Sequence, residues 1–203
     1  MFIINDMIKY YENKKIITIE NDVVIDKIEI SNNINACIFA GGCFWCIADP
    51  FYNIDGVIDV YSGYCGGDYI NPKYEDVKYG NTGHKESILI IYDTSKISYY
   101  ELLKTYFENI DPFDGDGQFI DKGDSYQTAV FTNQENEIND FNKIVSYIET
   151  NYNKKVMVKL LNENVFYFAE SEHQRFSINN IEKFKIEEEI SGRNNFNKIK
   201  IKE

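Results

Sequence analysis

Apolar positions recur along this chain with two different periods. Short runs rich in β-branched and aromatic residues, at 36–40, 57–61, 88–92, 128–131 and 155–160, predict strands. Other stretches carry a helical period. Leu102, Leu103, Tyr106, Phe107 and Ile110 share one helical face, and Ser98 with Glu101 three residues later has the capping-box pattern that opens such a helix. Thr132 and Glu135 repeat the signal ahead of Ile138, Phe141, Val145 and Ile148. A further helix starts at Cys43 and is expected to end at Gly56, bent or shortened by Pro50. Together these elements predict a two-layer α+β domain, a mixed sheet with helices packed on it.

Two long segments, 62–85 and 111–127, lack a regular period. Structureless stretches of that length in a compact domain are usually functional, and these hold most of the polar candidates. Residues 1–34 read as an N-terminal extension, with a hairpin expected from Val23-Val24-Ile25 and Ile28-Glu29-Ile30. Glu187-Glu188-Glu189 reads as a solvated helix face, and the lysine-rich end after Ser191-Gly192-Arg193 as a loose tail.

Length and composition narrow the classes. A chain of 203 residues fits one domain, and 43% hydrophobic with 15% aromatic residues is the make-up of a packed globule rather than a disordered chain. The net charge of −12 disfavours nucleic acid and anionic membranes as partners, because phosphate binding needs a basic surface. The opening Met1-Phe2-Ile3-Ile4-Asn5-Asp6 meets an acid before an apolar core of a signal peptide can form, and no spanning segment follows. A cytoplasmic protein is expected.

Against that setting the cysteines stand out. Cys37, Cys43, Cys46 and Cys65 cluster in the first third, which points to catalysis or metal rather than to a disulfide scaffold. Gly41-Gly42 lets the backbone turn sharply after the first strand, so Cys43 falls on the first helical turn. There the unpaired N–H groups and the positive dipole end favour a thiolate. Taken alone, Cys43-Phe44-Trp45-Cys46 is open between a zinc site, a redox dithiol and a structural pair. A second Cys-x-x-Cys is missing, Cys37 and Cys65 are poorly spaced for a four-cysteine site, and His84 and His173 lack ligand spacing. No metal is expected; Cys37 reads as buried, and the two histidines as hydrogen-bonding structural residues.

The run Gly42-Cys43-Phe44-Trp45 after a short apolar strand resembles the signature of the A-type peptide methionine sulfoxide reductases. Gly63-Tyr64-Cys65-Gly66-Gly67, Asn71-Pro72-Lys73-Tyr74 and Gly83-His84-Lys85-Glu86 resemble that family's next motifs, in its order. Asp121-Lys122-Gly123 with Tyr126, and Ala169-Glu170 with His173-Gln174, extend the likeness over roughly residues 36–176. The resemblance implies a ferredoxin-like core with long loops. It makes 35–178 the catalytic domain, followed by a C-terminal tail, 179–203.

Reducing a sulfoxide needs a soft nucleophile for sulfur, a proton for the oxygen and an apolar cage for the methyl group. The resemblance gives these roles to Cys43, to a protonated Glu86 and to Phe44 with Trp45, while Tyr74 and Tyr126 polarise the S–O bond and Asp121 contacts substrate. It implies no cofactor. A carboxyl in an aromatic pocket has a raised pKa, as an acid at Glu86 requires. The Cys43 sulfenic acid would condense with Cys46, one helical turn away, or as second choice with Cys65, and a dithiol such as thioredoxin would reduce the disulfide. Two departures from the family are visible: no cysteine follows Cys65, and Ser125-Tyr126-Gln127 replaces the usual Gln-Tyr-Arg. The expected function is reduction of methionine-S-sulfoxide, free and in proteins, by a monomer. A general thiol-disulfide oxidoreductase and a methionine- or metal-binding module are the competing readings, and sulfoxide-dependent consumption of dithiothreitol separates them.

Overall fold

A computed structural model describes residues 33–79, 81–162 and 165–202. The hairpin expected within 1–34 lies outside them. In chain order the strands are β1 (Ile34–Ala40), β2 (Val57–Cys65), β3 (Lys85–Asp93), β4 (Gly117–Gln118), β5 (Asp121–Lys122), β6 (Ala129–Phe131), β7 (Lys159–Leu161) and β8 (Tyr167–Phe168). The helices are α1 (Phe44–Ala48), α2 (Tyr74–Tyr79), α3 (Tyr99–Glu108), α4 (Glu135–Tyr152), α5 (Phe176–Asn179) and α6 (Ile181–Ser191).

Six strands form one sheet in the order β7-β6-β1-β3-β2-β8, antiparallel except for the parallel pair β6 and β7. The sheet is therefore mixed, and the α+β class holds. Strand alternation divides its residues between two apolar clusters. Cys37, Phe39, Ile88 and Ile90 pack with Leu102, Leu103, Tyr106 and Phe107 of α3 and with Phe141, Ile144 and Ile148 of α4. Ala36, Ile38, Leu89 and Ile91 face the other way, toward Tyr61, Phe131, Phe166 and Phe168. Each Leu, Ile or Phe among them, when fully buried, contributes roughly 1.5–3 kcal/mol relative to exposure.

The local signals were realised unevenly. The Ser98 capping box forms, with Glu101 N–H donating to Ser98 Oγ at 3.2 Å and Ser98 N–H donating to the Glu101 carboxylate at 2.9 Å. The Thr132 box does not. Thr132 Oγ1 accepts from Gln134 N–H and donates to the buried Glu137 carboxylate, so α4 begins two residues later than the box would place it. Pro50 ends α1 early: a 3-10 turn, Asp49–Phe51, replaces its continuation toward Gly56. The stretch read as a loose tail is packed, with Ile199 3% and Ile201 4% exposed in the helix-side cluster.

Candidate active site

Register brings the reactive groups together. β1 ends with Ala40 opposite Ser87, and on β3's other side Tyr64 lies opposite Glu86. Glu86 shares a strand face with Ile88 and Ile90, so its side chain projects to the helix side of the sheet. The chain turns at Gly41-Gly42 and Cys43 becomes the N-cap of α1, its carbonyl accepting from Cys46 N–H at 3.1 Å and Ile47 N–H at 3.3 Å. Phe44 N–H donates to Glu86 Oε2 at 3.0 Å, and the Cys43 backbone N–H lies near enough to the Asp121 carboxylate to draw its pKa down.

A cavity of about 370 Å³ is lined by Cys43, Phe44, Trp45, Tyr74, Glu86, Asp121 and Tyr126, the residues expected to carry chemistry or bind substrate. Lys78 and Glu187 complete the lining, and neither was anticipated. Lys78 follows Tyr74 by one turn of α2, with its Nζ 5.4 Å from the Tyr74 ring centre, a spacing that is readable once α2 is known to be helical. Cys46 lines a second cavity of about 460 Å³, together with Phe119, Glu188, Arg193 and Phe196.

Aromatic contacts hold the walls. The Trp45 ring stacks on Phe176 at 3.8 Å and 9°, a pairing worth about 0.5–1.5 kcal/mol beyond area burial. His173 lies 4.6 Å from Tyr74 and 5.3 Å from Phe44, and burial pushes its pKa down, keeping the ring neutral. Glu170 ties two segments, accepting from Tyr64 Oη at 2.9 Å and from Tyr74 N–H at 3.1 Å. Gln174 closes the edge by accepting from Ser62 N–H and donating to the Ser62 and Ala169 carbonyls. His84 is structural as expected: its Nδ1 accepts from Gly67 N–H at 3.1 Å, which leaves Nε2–H to donate to the Tyr69 carbonyl at 2.8 Å. The sequence contained Glu170, His173 and Gln174 as motif residues without showing what they hold. Phe176 had no signal.

Burial sets the electrostatics. It pushes the Glu86 carboxyl well above the usual carboxylate range; nearby Cys43 pushes the same way, and the Phe44 N–H pulls back. Burial and then the Glu86 charge raise Tyr74 and Tyr126, so both phenols keep their protons. Asp121 is raised by burial against the pull of Arg193 and of the Cys43 N–H. The neighbouring Cys46 thiol and burial raise Cys43, while the Cys43 thiol beside it lowers Cys46. This reverses the expectation of a dipole-stabilised Cys43 thiolate. The Phe44 N–H, one of the first-turn donors that would have stabilised it, is already given to Glu86.

Cys65 is fully buried in the cluster on the opposite sheet face, away from the Cys43 lining. Cys37 is 3% exposed in the helix-side core. Among the described residues no three His, Cys, Asp or Glu side chains gather as a metal site. Gln127, where the family's arginine was expected, accepts from Lys159 Nζ at 2.6 Å and Lys85 Nζ at 3.4 Å, so the Tyr126 turn is anchored by lysines from neighbouring strands.

The family model for peptide methionine sulfoxide reductase matches residues 35–203. A peptide methionine sulfoxide reductase MsrA of Leuconostoc mesenteroides is 42% identical over 145 residues, covering 70% of this chain and 85% of that protein. In structure the chain is similar to Mxr1 from Saccharomyces cerevisiae in reduced form (TM-score 0.70, 24% identity, 77% of this chain and 91% of that one). It is also similar to Mxr1 in complex with Trx2 (TM-score 0.50, 19% identity, 74% and 91%). These structural likenesses establish the fold, and the sequence matches establish more: the chain belongs to the peptide methionine sulfoxide reductase family, an oxidoreductase family.

Proposed function

We propose that this reductase acts on the S epimer of methionine sulfoxide, free and in proteins, by moving the sulfoxide oxygen to Cys43. The observation that carries the reading is the convergence of Cys43, Glu86, Tyr74, Tyr126, Phe44, Trp45 and Asp121 on one cavity. The sulfoxide methyl lies against Phe44 and Trp45, its oxygen toward Glu86 and the two phenols, and Asp121 meets the substrate backbone. As the Cys43 sulfur attacks the sulfoxide sulfur, Glu86 gives its proton to the oxygen and recovers one from the thiol. The oxygen then passes to Cys43 and the thioether leaves. Methionine sulfoxide is reduced by two electrons, Cys43 is oxidised to a sulfenic acid whose oxygen keeps the proton from Glu86, and the thiol proton replaces it on Glu86.

Cys46, one helical turn on and with its N–H donating to the Cys43 carbonyl at 3.1 Å, is the resolving thiol in this reading, and Cys65, on the other sheet face, is disfavoured. A thioredoxin-type dithiol reopens the disulfide by exchange, a partner supported by the yeast Mxr1 complex with Trx2. Such recycling suits the cytoplasm. The order β6-β1-β3-β2, with α1 after β1 and α3 after β3, supports a ferredoxin-like plait as the core, extended by β7 and β8.

An epimer-resolved assay with dithiothreitol tests the reading. The wild-type chain is expected to consume methionine-S-sulfoxide and spare the R epimer, and Cys43→Ser to lose reduction because an un-ionised hydroxyl is a far weaker nucleophile toward sulfur. Appreciable turnover by Cys43→Ser, or of the R epimer, would overturn it.

A further inference from the structure

Arg193 follows α6 directly, after Gly192 at φ 78° has ended that helix. Its guanidinium is fixed on two sides. Nη2 donates to the Gly41 carbonyl at 3.3 Å, on the turn that presents both thiols, and the group lies 4.6 Å over the Phe119 ring. Phe119 is itself held in the left-handed region, at φ 54°, with Phe196 packed edge-on at 5.2 Å. Such a backbone costs about 1 kcal/mol or more for a residue this bulky and persists only where surroundings impose it. Gly42 completes the seat: at φ 77°, a Cβ there would lie 2.7 Å from Arg193 Nη2 and 2.6 Å from Gln118 Cβ. One guanidinium donor has no visible acceptor, since Nε is buried with no hydrogen-bond partner. A buried donor left unpaired on a charged group is costly, and a negative charge nearby offsets that cost.

We propose that Arg193 is a positioning residue for the second half of the reaction: docked on Gly41 and Phe119 in the cavity it shares with Cys46, it supplies the positive charge that makes Cys46 the attacking sulfur. The inference rests on the reading of Cys46 as the resolving thiol. Cys46 gives an electron pair to the Cys43 sulfur, the S–S bond forms, and the Cys43 S–O bond breaks. The oxygen leaves as water after taking the proton that Cys46 releases. The charged and titratable groups facing Cys46 are Cys43, Asp121, Glu188 and Arg193, with Asp49, Lys198 and Lys200 lining the same cavity. The Cys43 thiol favours ionisation of Cys46 most and Arg193 adds to it, while burial, Asp121 and Glu188 oppose, and the net direction for Cys46 is downward.

The test reads Cys46 directly. In Cys43→Ser, where Cys46 titrates without its partner thiol, the pH dependence of iodoacetamide labelling is followed on the Cys46 peptide. Adding Arg193→Gln is expected to move the midpoint up by about one pH unit, a tenfold change in ionisation, and Arg193→Lys to restore part of it. With Cys43 intact, Arg193→Gln should prolong the dimedone-reactive sulfenic acid about tenfold at neutral pH, and raising the pH should recover the rate. An unmoved midpoint in folded Arg193→Gln, or a lysine variant no better than glutamine, would overturn the inference alone. A short-lived sulfenic acid in Cys46→Ser would instead overturn the resolving role and the inference with it.

Discussion

At the scale of single residues, Glu86 carries opposing demands. The residue is 2% exposed, and burial keeps its carboxyl protonated well above the usual range, which suits a proton donor and burdens the fold. Because the folded pKa lies above the unfolded one, the folded state holds more protons, and stability falls as pH rises from the unfolded value of about 4.3 through the folded pKa. Glu86→Gln keeps an oxygen for the Phe44 N–H and cannot ionise. The variant should therefore have a higher Tm than wild type at pH 7, with the gap closing near pH 4 in calorimetry. Its single-turnover reduction should slow on the order of 10²–10⁴-fold, and the limb of the rate profile that falls with rising pH should vanish. The rising limb set by Cys43, whose pKa is also raised, should remain. Unchanged rates across neutral pH would remove Glu86 from the acid role.

At the scale of elements, what was legible in the sequence is what one strand or helix determines by itself. The apolar, β-branched run Ile88-Leu89-Ile90-Ile91, buried on both faces of the sheet, and the Ser98 capping box were realised as read because each depends on its own residues and nearest neighbours. Thr132 was misread because a buried carboxylate five residues on, Glu137, competed for its hydroxyl. The β4–β5 hairpin, two residues a side, is too short to carry a period. Gly63 joins elements across the sheet: a Cβ there would lie 2.3 Å from the Tyr167 carbonyl oxygen on β8 and 2.4 Å from Phe166 Cζ. The chain after β8 supplies Glu170, which holds Tyr74. Gly63→Ala should therefore cost about 1–3 kcal/mol in urea denaturation and raise KM for the sulfoxide as Tyr74 shifts. Ser98→Ala, far from the cavity, should cost about 1 kcal/mol and leave KM unchanged.

At the scale of the molecule, the C-terminal segment is a strap over the helices rather than an appendage. Ile201 N–H donates to Glu108 Oε1 at 2.9 Å, Lys200 N–H to Tyr152 Oη at 2.7 Å and Lys202 N–H to Tyr147 Oη at 3.0 Å, tying the chain end to α3 and α4. Ile199 and Ile201 are the apolar half of an alternation with Lys198, Lys200 and Lys202, so the buried face was written in the sequence. It was too short and too charged to read without the helices it meets. The same strap carries Arg193 and Phe196 to the Cys46 cavity. Global stability and the second catalytic step should therefore fall together. Ile199→Ala should cost about 2–5 kcal/mol, as other large-to-small changes in packed cores do, and raise hydrogen exchange over residues 193–202. It should also lengthen the life of the Cys43 sulfenic acid, although every thiol, Glu86 and Arg193 are untouched. A cost below about 0.5 kcal/mol, the range of ordinary surface substitutions, would mean that the strap lies on the body without holding Arg193 in place.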